Sequence, residues 1–309
     1  MKKLAPRLPP LRRTLLLISA ALLGALAVAA CSPVKVLNGI VPKNTYEFEG
    51  GLAYGDQSRQ KLDVYRPLAG ALPAEAARPL VVFFYGGTWT SGARGEYRFV
   101  GEALASRGAV VVLPDYGLSP DFTYPVFVED SALAVKWAID NAARLGADPN
   151  RIYVMGHSSG GYNAAMVALD PRWLEAVGAS PKQLAGWIGL AGPYDFLPIV
   201  NPDAQVAFNW PNTPPDSQPL AHASAASPPA LLMAAKDDDI VNPRRNTGQM
   251  ADKLRAAGVP VQTRLFDDLG HITLIAAVAD PLQWLGGPVL PPILEFLGLG
   301  ADQAAQGAR

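Results

Sequence analysis

The chain has 309 residues, of which 50% are hydrophobic and 17% are charged, and its formal net charge is −1. This length and apolar content are sufficient for one large or two small globular domains with an ample core. A near-neutral chain lacks the excess of Lys and Arg that nucleic acid requires, so we expect no nucleic-acid partner.

The first part of the chain has the pattern of an export signal over 1–30. Several Lys and Arg residues precede an apolar run that is short for a membrane span and ends in small residues. The run closes on Val28-Ala-Ala-Cys31, which resembles the bacterial lipobox, in which the cysteine is lipidated. We therefore predict a lipid anchor at Cys31, a tether over 31–45 and a cell-envelope location, with Ser32 favouring the outer membrane. An ordinary signal with an incidental cysteine is the alternative.

Strand and helix patterns alternate after the tether and predict one α/β domain over 46–300, followed by a frayed tail over 301–309. The alternation indicates a mostly parallel sheet with helices on both faces and ligands at the carboxyl ends of its strands. A Pro- and Ala-rich segment over 198–229 is predicted to be an irregular lid or cap. The predicted strands are 46–54, 62–65, 80–85, 109–113, 151–155, 184–190, 230–235 and 261–266. The predicted helices are 95–107, 128–145, the segment from the serine turn to Asp170, 244–257 and 291–297.

The segment Gly156-His-Ser-Ser-Gly160 follows a predicted strand and begins a predicted helix. The G-x-S-x-G spacing is typical of a sharp strand-to-helix turn that exposes a strained serine, and the glycines leave room for that turn. The start of the helix offers free N–H groups to an oxyanion. This context predicts that Ser158 is a nucleophile, with a glycine-rich structural turn as the alternative.

A serine hydroxyl is a poor nucleophile unless a base takes its proton. The chain has three histidines. His157 adjoins the serine in the turn, so we predict a packing or capping role for it, and His222 lies in the irregular segment. His271 follows the last long strand and gives the chain order nucleophile, acid, histidine, so we predict that it is the general base.

The residues alone do not decide which aspartate is the acid that orients the imidazole. Asp195, at the end of the strand over 184–190, is a rival to three aspartates that follow the strand over 230–235. Those three are Asp237, Asp238 and Asp239. Two more aspartates are disfavoured because they are too close in sequence to His271. These are Asp267 and Asp268.

An oxyanion hole needs a backbone N–H from the residue after the nucleophile, here Ser159, and a second from the loop after the strand over 80–85, here Gly86 or Gly87. Three aromatic residues are candidates for the pocket wall, with core packing as an equal alternative: Trp89, Tyr124 and Tyr194. This chemistry needs no cofactor. The chain has no H-E-x-x-H motif and no cysteine pair, so no metal site is predicted.

With these residues the chain resembles bacterial α/β-hydrolase esterases near the hormone-sensitive-lipase and carboxylesterase families. It is most similar to the bifunctional feruloyl/acetylxylan esterase-like branch, with kynurenine formamidase as a relative. The segments that carry the resemblance are Leu62–Pro67, Tyr85–Trp89, Asp115–Pro125, Gly156–Gly160, Ala235–Val241 and Gly270-His271. The chain departs from the family motifs where Tyr85 replaces a histidine, Gly117 an arginine and Ala235 a glycine.

The resemblance implies the α/β-hydrolase fold and a serine carboxylesterase that acts on a small acyl or aryl ester. Aligning Ala235–Val241 with the motif G-x-x-D-x-x-V implies that Asp238 is the acid. A formamidase or amidase of the same fold is one alternative, and a non-catalytic envelope binding protein is another. Nothing in the sequence sets the oligomeric state.

Overall fold

The computed structural model describes residues 37–39, 41–70, 78–279 and 287–300. The predicted signal, the anchor at Cys31 and the tail over 301–309 lie outside the described residues. None of the helices within the described ranges combines the length and the apolar character that crossing a bilayer demands.

Eight strands of the described chain form one sheet. In chain order they are β1 (Tyr46–Ala53), β2 (Lys61–Pro67), β3 (Leu80–Phe84), β4 (Val110–Pro114), β5 (Ile152–His157), β6 (Leu184–Leu190), β7 (Ala230–Ala235) and β8 (Val261–Phe266). Their spatial order is β1-β2-β4-β3-β5-β6-β7-β8. The pairs β1–β2 and β2–β4 are antiparallel and the other pairs are parallel. The predicted mostly parallel sheet is confirmed, and its antiparallel pairs are confined to the end that holds β1 and β2.

Helices lie in the connections between strands, and two more follow the last strand. In chain order they are α1 (Arg98–Ala105), α2 (Val126–Asn141), α3 (Ser159–Leu169), α4 (Pro171–Ala176), α5 (Pro202–Ala207), α6 (Pro219–His222), α7 (Gln249–Ala256), α8 (His271–Ala276) and α9 (Leu290–Phe296). A 3-10 turn over Arg94–Tyr97 leads into α1, and a π-helical turn over Arg244–Gly248 leads into α7. The predicted helices over 95–107 and 244–257 are therefore α-helical only in their later parts.

Four helices were not expected from the sequence in this form. The prediction of an irregular segment over 198–229 is wrong in part, because α5 and α6 lie within it. Pro171 was expected to end a helix, but it begins α4, since proline fits the first helical position and Asp170 caps the new helix through the N–H of Arg172. Helix α8 begins at His271 itself.

The central strands are buried on both faces, which explains their continuous apolar sequences. Every residue of β3, β4, β5 and β7 is buried, whereas the edge strand β8 is partly exposed along its length. Because β3, β5, β7 and β8 run parallel, their carboxyl ends lie at one rim of the sheet. The segments that carry the predicted site residues all begin at this rim.

Candidate active site

The turn between β5 and α3 holds Ser158 in a backbone conformation that L-residues rarely adopt. Its φ is 54° and its ψ is −125°. The neighbouring glycines are sterically required. A Cβ on Gly156 would lie 2.0 Å from the carbonyl oxygen of Gly160, and a Cβ on Gly160 would lie 2.1 Å from that of Phe84. Such a strained conformation persists only where the surrounding structure enforces it, and it is concentrated at functional sites. The strained, partly exposed Ser158 at this rim therefore indicates a functional turn.

Two hydrogen bonds link Ser158, His271 and Asp238. The Nε2 of His271 lies 2.8 Å from the Oγ of Ser158, and its Nδ1 lies 2.7 Å from the Oδ2 of Asp238. The imidazole and the carboxylate are buried, and the serine is half-buried. The structure thus brings together the three residues predicted as nucleophile, base and acid, in the geometry that proton transfer from serine to histidine requires.

Asp238 is held by more than the imidazole. Its Oδ1 accepts the backbone N–H groups of Ile240 and Val241 at 2.9 and 2.8 Å. Burial acts to raise the pKa of Asp238, but the hydrogen bonds from His271 and these N–H groups outweigh it, so the pKa is lowered from its ordinary value. The carboxylate therefore stays ionised and acceptor-only, as the orientation of a donating Nδ1–H requires.

The rival aspartates lie elsewhere. Asp195 forms an ion pair with Arg245, with an N–O distance of 3.0 Å. Asp237 and Asp239 are exposed on either side of Asp238. The remaining two, Asp267 and Asp268, are also exposed. None of the five replaces Asp238 beside the imidazole.

The other two histidines do not approach the serine hydroxyl as a base. The Nε2 of His222 lies 2.6 Å from the carbonyl oxygen of Asp216, at the end of α6. His157 is 2% exposed, and its Nε2 lies 3.0 Å from the carbonyl oxygen of His271. The predicted packing role of His157 is therefore incomplete, because the ring also contacts the backbone of the proposed base.

The two glycines after β3 differ in their surroundings. Burial raises the pKa of the Tyr97 hydroxyl to about 12, and a hydrogen bond from the backbone N–H of Gly86 opposes that rise. The described residues provide no carbonyl that accepts the N–H of Gly87, and Ser159, as the first residue of α3, has an N–H without an intrahelical partner. Gly87 and Ser159 are thus candidates for the two oxyanion donors, with Gly86 as the alternative to Gly87.

Tyr85 replaces the motif histidine, yet its hydroxyl is well bonded. It donates to Asp115 at 3.0 Å and accepts from the guanidinium of Arg59 at 2.8 Å. Arg59 also donates to the carbonyl oxygens of Tyr116 and Gly92, at 2.7 and 3.1 Å. The tyrosine and this arginine therefore fix the strand end and the loop that follows it.

A cavity of about 130 Å³ opens beside Ser158. Its lining is mostly apolar and comes from the loop after β3 (Gly86–Trp89, called the oxyanion loop), the chain after β6 and the turn after β7. The lining residues are Thr88, Trp89, Ser158, Ser159, Pro193, Phe196, Ile199, Val200, Asn201, Ala204, Ile240 and Val241. Most of these were missed by sequence reasoning, because the segment after β6 carries no motif or periodicity.

The three candidate residues for the pocket wall have different positions in the structure. Trp89 lines the cavity, and its indole N–H donates to Asn163 of α3 at 3.0 Å. Tyr124 and Tyr194 do not reach the cavity, so for them the packing alternative holds. Tyr124 stacks on Phe208 with ring centroids 5.5 Å apart, and Tyr194 is fully buried against Trp187.

Across the described part of the chain, no cluster of three or more His, Cys, Asp or Glu side chains is arranged to hold a metal ion. The polar side chains around Ser158 instead form the hydrogen-bonded chain from Ser158 through His271 to Asp238.

The model of the BD-FAE family matches residues 62–254, well over half of the chain. The chain belongs to the BD-FAE family. The match begins in β2 and ends in α7, so it includes the serine turn and Asp238 but not His271.

Curated relatives are similar over most of the chain. Isoprenylcysteine alpha-carbonyl methylesterase ICME of Arabidopsis thaliana is 28% identical over 75% of this chain, and the match covers 58% of that protein. The probable carboxylic ester hydrolase LipM of Mycobacterium tuberculosis is 28% identical over 73% of this chain and 58% of its own length. The chain thus spans less than two thirds of the length of these relatives.

Solved structures establish the fold. Esterase B of Lactobacillus rhamnosis superposes with a TM-score of 0.72 at 19% identity, covering 94% of this chain and 99% of that one. An esterase of Pyrobaculum calidifontis superposes with a TM-score of 0.67 at 24% identity, covering 87% and 90%. The chain has the α/β-hydrolase fold, as predicted.

Proposed function

We propose that this BD-FAE family member is a serine carboxylic-ester hydrolase that acts through an acyl-enzyme. The observation that carries the proposal is the unbroken hydrogen-bonded chain from Ser158 through His271 to Asp238. Such a chain activates a serine hydroxyl for attack on a carbonyl carbon. The carboxylesterase and methylesterase relatives support the same reaction class.

In the first half of the proposed reaction, Ser158 attacks the ester carbonyl while His271 takes its proton. The negative charge that develops on the carbonyl oxygen is stabilised by the N–H groups of Ser159 and Gly87. Asp238 holds the tautomer in which the Nε2 of His271 can accept, and it stabilises the imidazolium that forms.

In the second half, the imidazolium of His271 protonates the leaving alcohol and the acyl group stays on Ser158. Water then enters, His271 removes its proton, and the acyl-enzyme is hydrolysed through the same two N–H donors. The imidazolium of His271 then returns this proton to the Oγ of Ser158 as the acyl–oxygen bond breaks, so the products are the alcohol and the acid, and the serine is restored without a cofactor.

The cavity beside Ser158 favours a small apolar substituent on the ester. An apolar cavity of about 150 Å³ is large enough to hold benzene, and this one measures about 130 Å³. We therefore propose a short acyl group or a single aromatic ring as the part that enters it. Aryl and acetyl esters of this size are also what the proposed feruloyl/acetylxylan esterase-like branch implies.

We also propose that the mature protein is lipid-anchored in the cell envelope through Cys31, in the outer membrane. The support is the basic and apolar pattern that ends at Val28-Ala-Ala-Cys31. Metabolic labelling with a palmitate analogue should mark the wild-type chain and leave Cys31→Ser unmarked. Labelling that persists in Cys31→Ser would refute the anchor without touching the proposed reaction.

An ester panel tests the proposed reaction. Short acyl esters, an aryl ester and an N-formyl aryl amide are offered to the purified wild type and to Ser158→Ala, with a fluorophosphonate probe as a second readout. We expect hydrolysis of the esters and probe labelling in the wild type only. Faster turnover of the formyl amide would favour a formamidase, and no turnover and no labelling would favour the binding-protein alternative.

A further inference from the structure

His157 lies directly before the nucleophile, yet the triad does not use it. The side chain is buried, with 2% exposure, and faces the segment that carries the base. Its ring centroid is 4.9 Å from that of His271, and its Nε2 is 3.0 Å from the backbone carbonyl oxygen of the same residue. The residue next to the nucleophile therefore also contacts the backbone of the base.

The partners of the ring determine which nitrogen carries the proton. A carbonyl oxygen can only accept a hydrogen bond, so the Nε2 of His157 must donate. Burial, reinforced by the nearby imidazole of His271, lowers the pKa of His157 to about 3. The ring is therefore neutral, with a proton on Nε2 and none on Nδ1.

The unprotonated Nδ1 of His157 lies close to a third segment of the site, the chain that follows β3. A Cβ on Gly86 would lie 3.1 Å from this Nδ1 and 2.9 Å from the Cβ of Ser158. The imidazole of His157 thus fills the space between the serine turn, the end of the oxyanion strand and the start of α8.

The position of His271 depends on a tertiary contact because this residue begins a short helix. His271 is the first residue of α8, a helix of 6 residues that follows the exposed edge strand β8. A helix this short is marginal by itself and takes its position from tertiary contacts. The N–H donated by His157 ties this helix start to the fully buried strand β5.

We propose that His157 is a positioning residue that sets the distance between His271 and Ser158 through its hydrogen bond to the backbone of His271. A neutral donor suits this place, since a permanent cation would oppose the imidazolium that forms on His271 during the reaction. The kinetic consequence rests on the proposed esterase function, whereas the structural consequence does not.

The test compares two substitutions at one position in the full chain. His157→Gln keeps an amide N–H near the place of Nε2, and His157→Leu fills similar space without a donor. A displacement of about 1 Å at the reacting atoms costs on the order of 100-fold in rate, so we expect His157→Leu to lower kcat by about 10- to 100-fold with little change in KM. His157→Gln should restore most of the kcat.

A second readout needs no catalysis. The proton between His271 Nδ1 and Asp238 gives a low-field ¹H NMR signal, which Asp238→Asn identifies by removing it. We expect this signal to persist in His157→Gln and to broaden or disappear in His157→Leu, while circular dichroism stays unchanged. If His157→Leu does not fold, His157→Met replaces it as the donor-free variant, because methionine adapts to irregular space.

The outcomes separate the two proposals. Unchanged kcat and an unchanged low-field signal in a folded donor-free variant would overturn the positioning role, as would equal losses in the Gln and donor-free variants. If the wild type hydrolyses no ester, the proposed function fails, and the NMR comparison alone decides the role of His157.

Discussion

The rim of the sheet and the cap segment over 193–222 form the two sides of the site and differ in kind. At the rim, Ser158, Asp238 and His271 follow parallel strands, are hydrogen-bonded to one another and are largely buried. The cap is built from short helices and loops, and its Val200 is 85% exposed. The rim of the sheet therefore positions the three residues of the proposed triad, and the cap contributes to the wall of the cavity beside them.

This difference predicts that substitutions at the rim and in the cap affect different quantities. A change at the rim should lower the rate for every substrate, because it removes a group that acts on the reacting atoms. A change in the cap should alter the ranking of substrates while the chemical groups stay in place.

The largest expected effect is at the acid. Asp238→Asn leaves the shape intact but allows the wrong imidazole tautomer, and in another triad such a change lowers kcat by about 10⁴-fold. We expect a loss of that order for every ester. Asp239→Asn is the matched control, because its exposed neighbouring carboxylate should be dispensable. Equal losses in the two variants would contradict the assignment of the acid.

Substitutions in the cap should change the selectivity among ester substrates. Ala204 lines the cavity, so Ala204→Phe should fill part of it and lower kcat/KM for the larger acyl groups by about 10- to 200-fold. The acetyl ester should be affected least. Val206→Phe is the control on the same helix, since Val206 is 52% exposed and does not line the cavity. An equal loss of kcat/KM for esters of every acyl chain length would contradict the predicted difference between rim and cap.

Tyr85 connects the rim to the interior. Tyr85→Phe removes the hydroxyl that Asp115 and Arg59 share, so each charged group loses one hydrogen bond and unfolding should become easier by about 1–3 kcal/mol. Denaturant unfolding measures this value. Tyr153→Phe is the control, because its ring packs on Phe296 and not on the oxyanion loop. Equal stabilities of Tyr85→Phe and the wild type would show that the hydroxyl does not brace the loop.

The smallest effect is on stability in acid. The pKa of Asp238 is lower in the folded chain than in the unfolded chain, so its ionised form stabilises the fold above the unfolded value of about 4. That contribution is lost as pH falls through the lower folded value. The difference in unfolding free energy between wild type and Asp238→Asn should therefore shrink below about pH 4. A difference that widens on acidification would contradict the lowered pKa.

The sheet and the order of the site residues could be predicted because buried parallel strands have an unmistakable apolar pattern. The strands over 80–85, 184–190 and 230–235 agree with β3, β6 and β7 to within one residue. The cap could not be predicted in the same way. Its prolines start short helices at their first positions, as at Pro202 and Pro219, and such helices are too short to show periodicity.

The acid shows where residue-level reasoning ends. Three consecutive aspartates follow β7, and spacing alone does not say which one points inward. The choice of Asp238 came from the family resemblance. In the structure it follows from the turn, because the N–H groups of Ile240 and Val241 bind one oxygen of Asp238 and leave the other for His271.

The account depends most on Ser158 being the nucleophile that His271 activates. Treating the chain with a fluorophosphonate and locating the adduct by mass spectrometry tests this directly. We expect one adduct, on Ser158, and a labelling rate that falls by orders of magnitude in His271→Ala. An adduct on another residue, or equal labelling of His271→Ala and the wild type, would contradict the account.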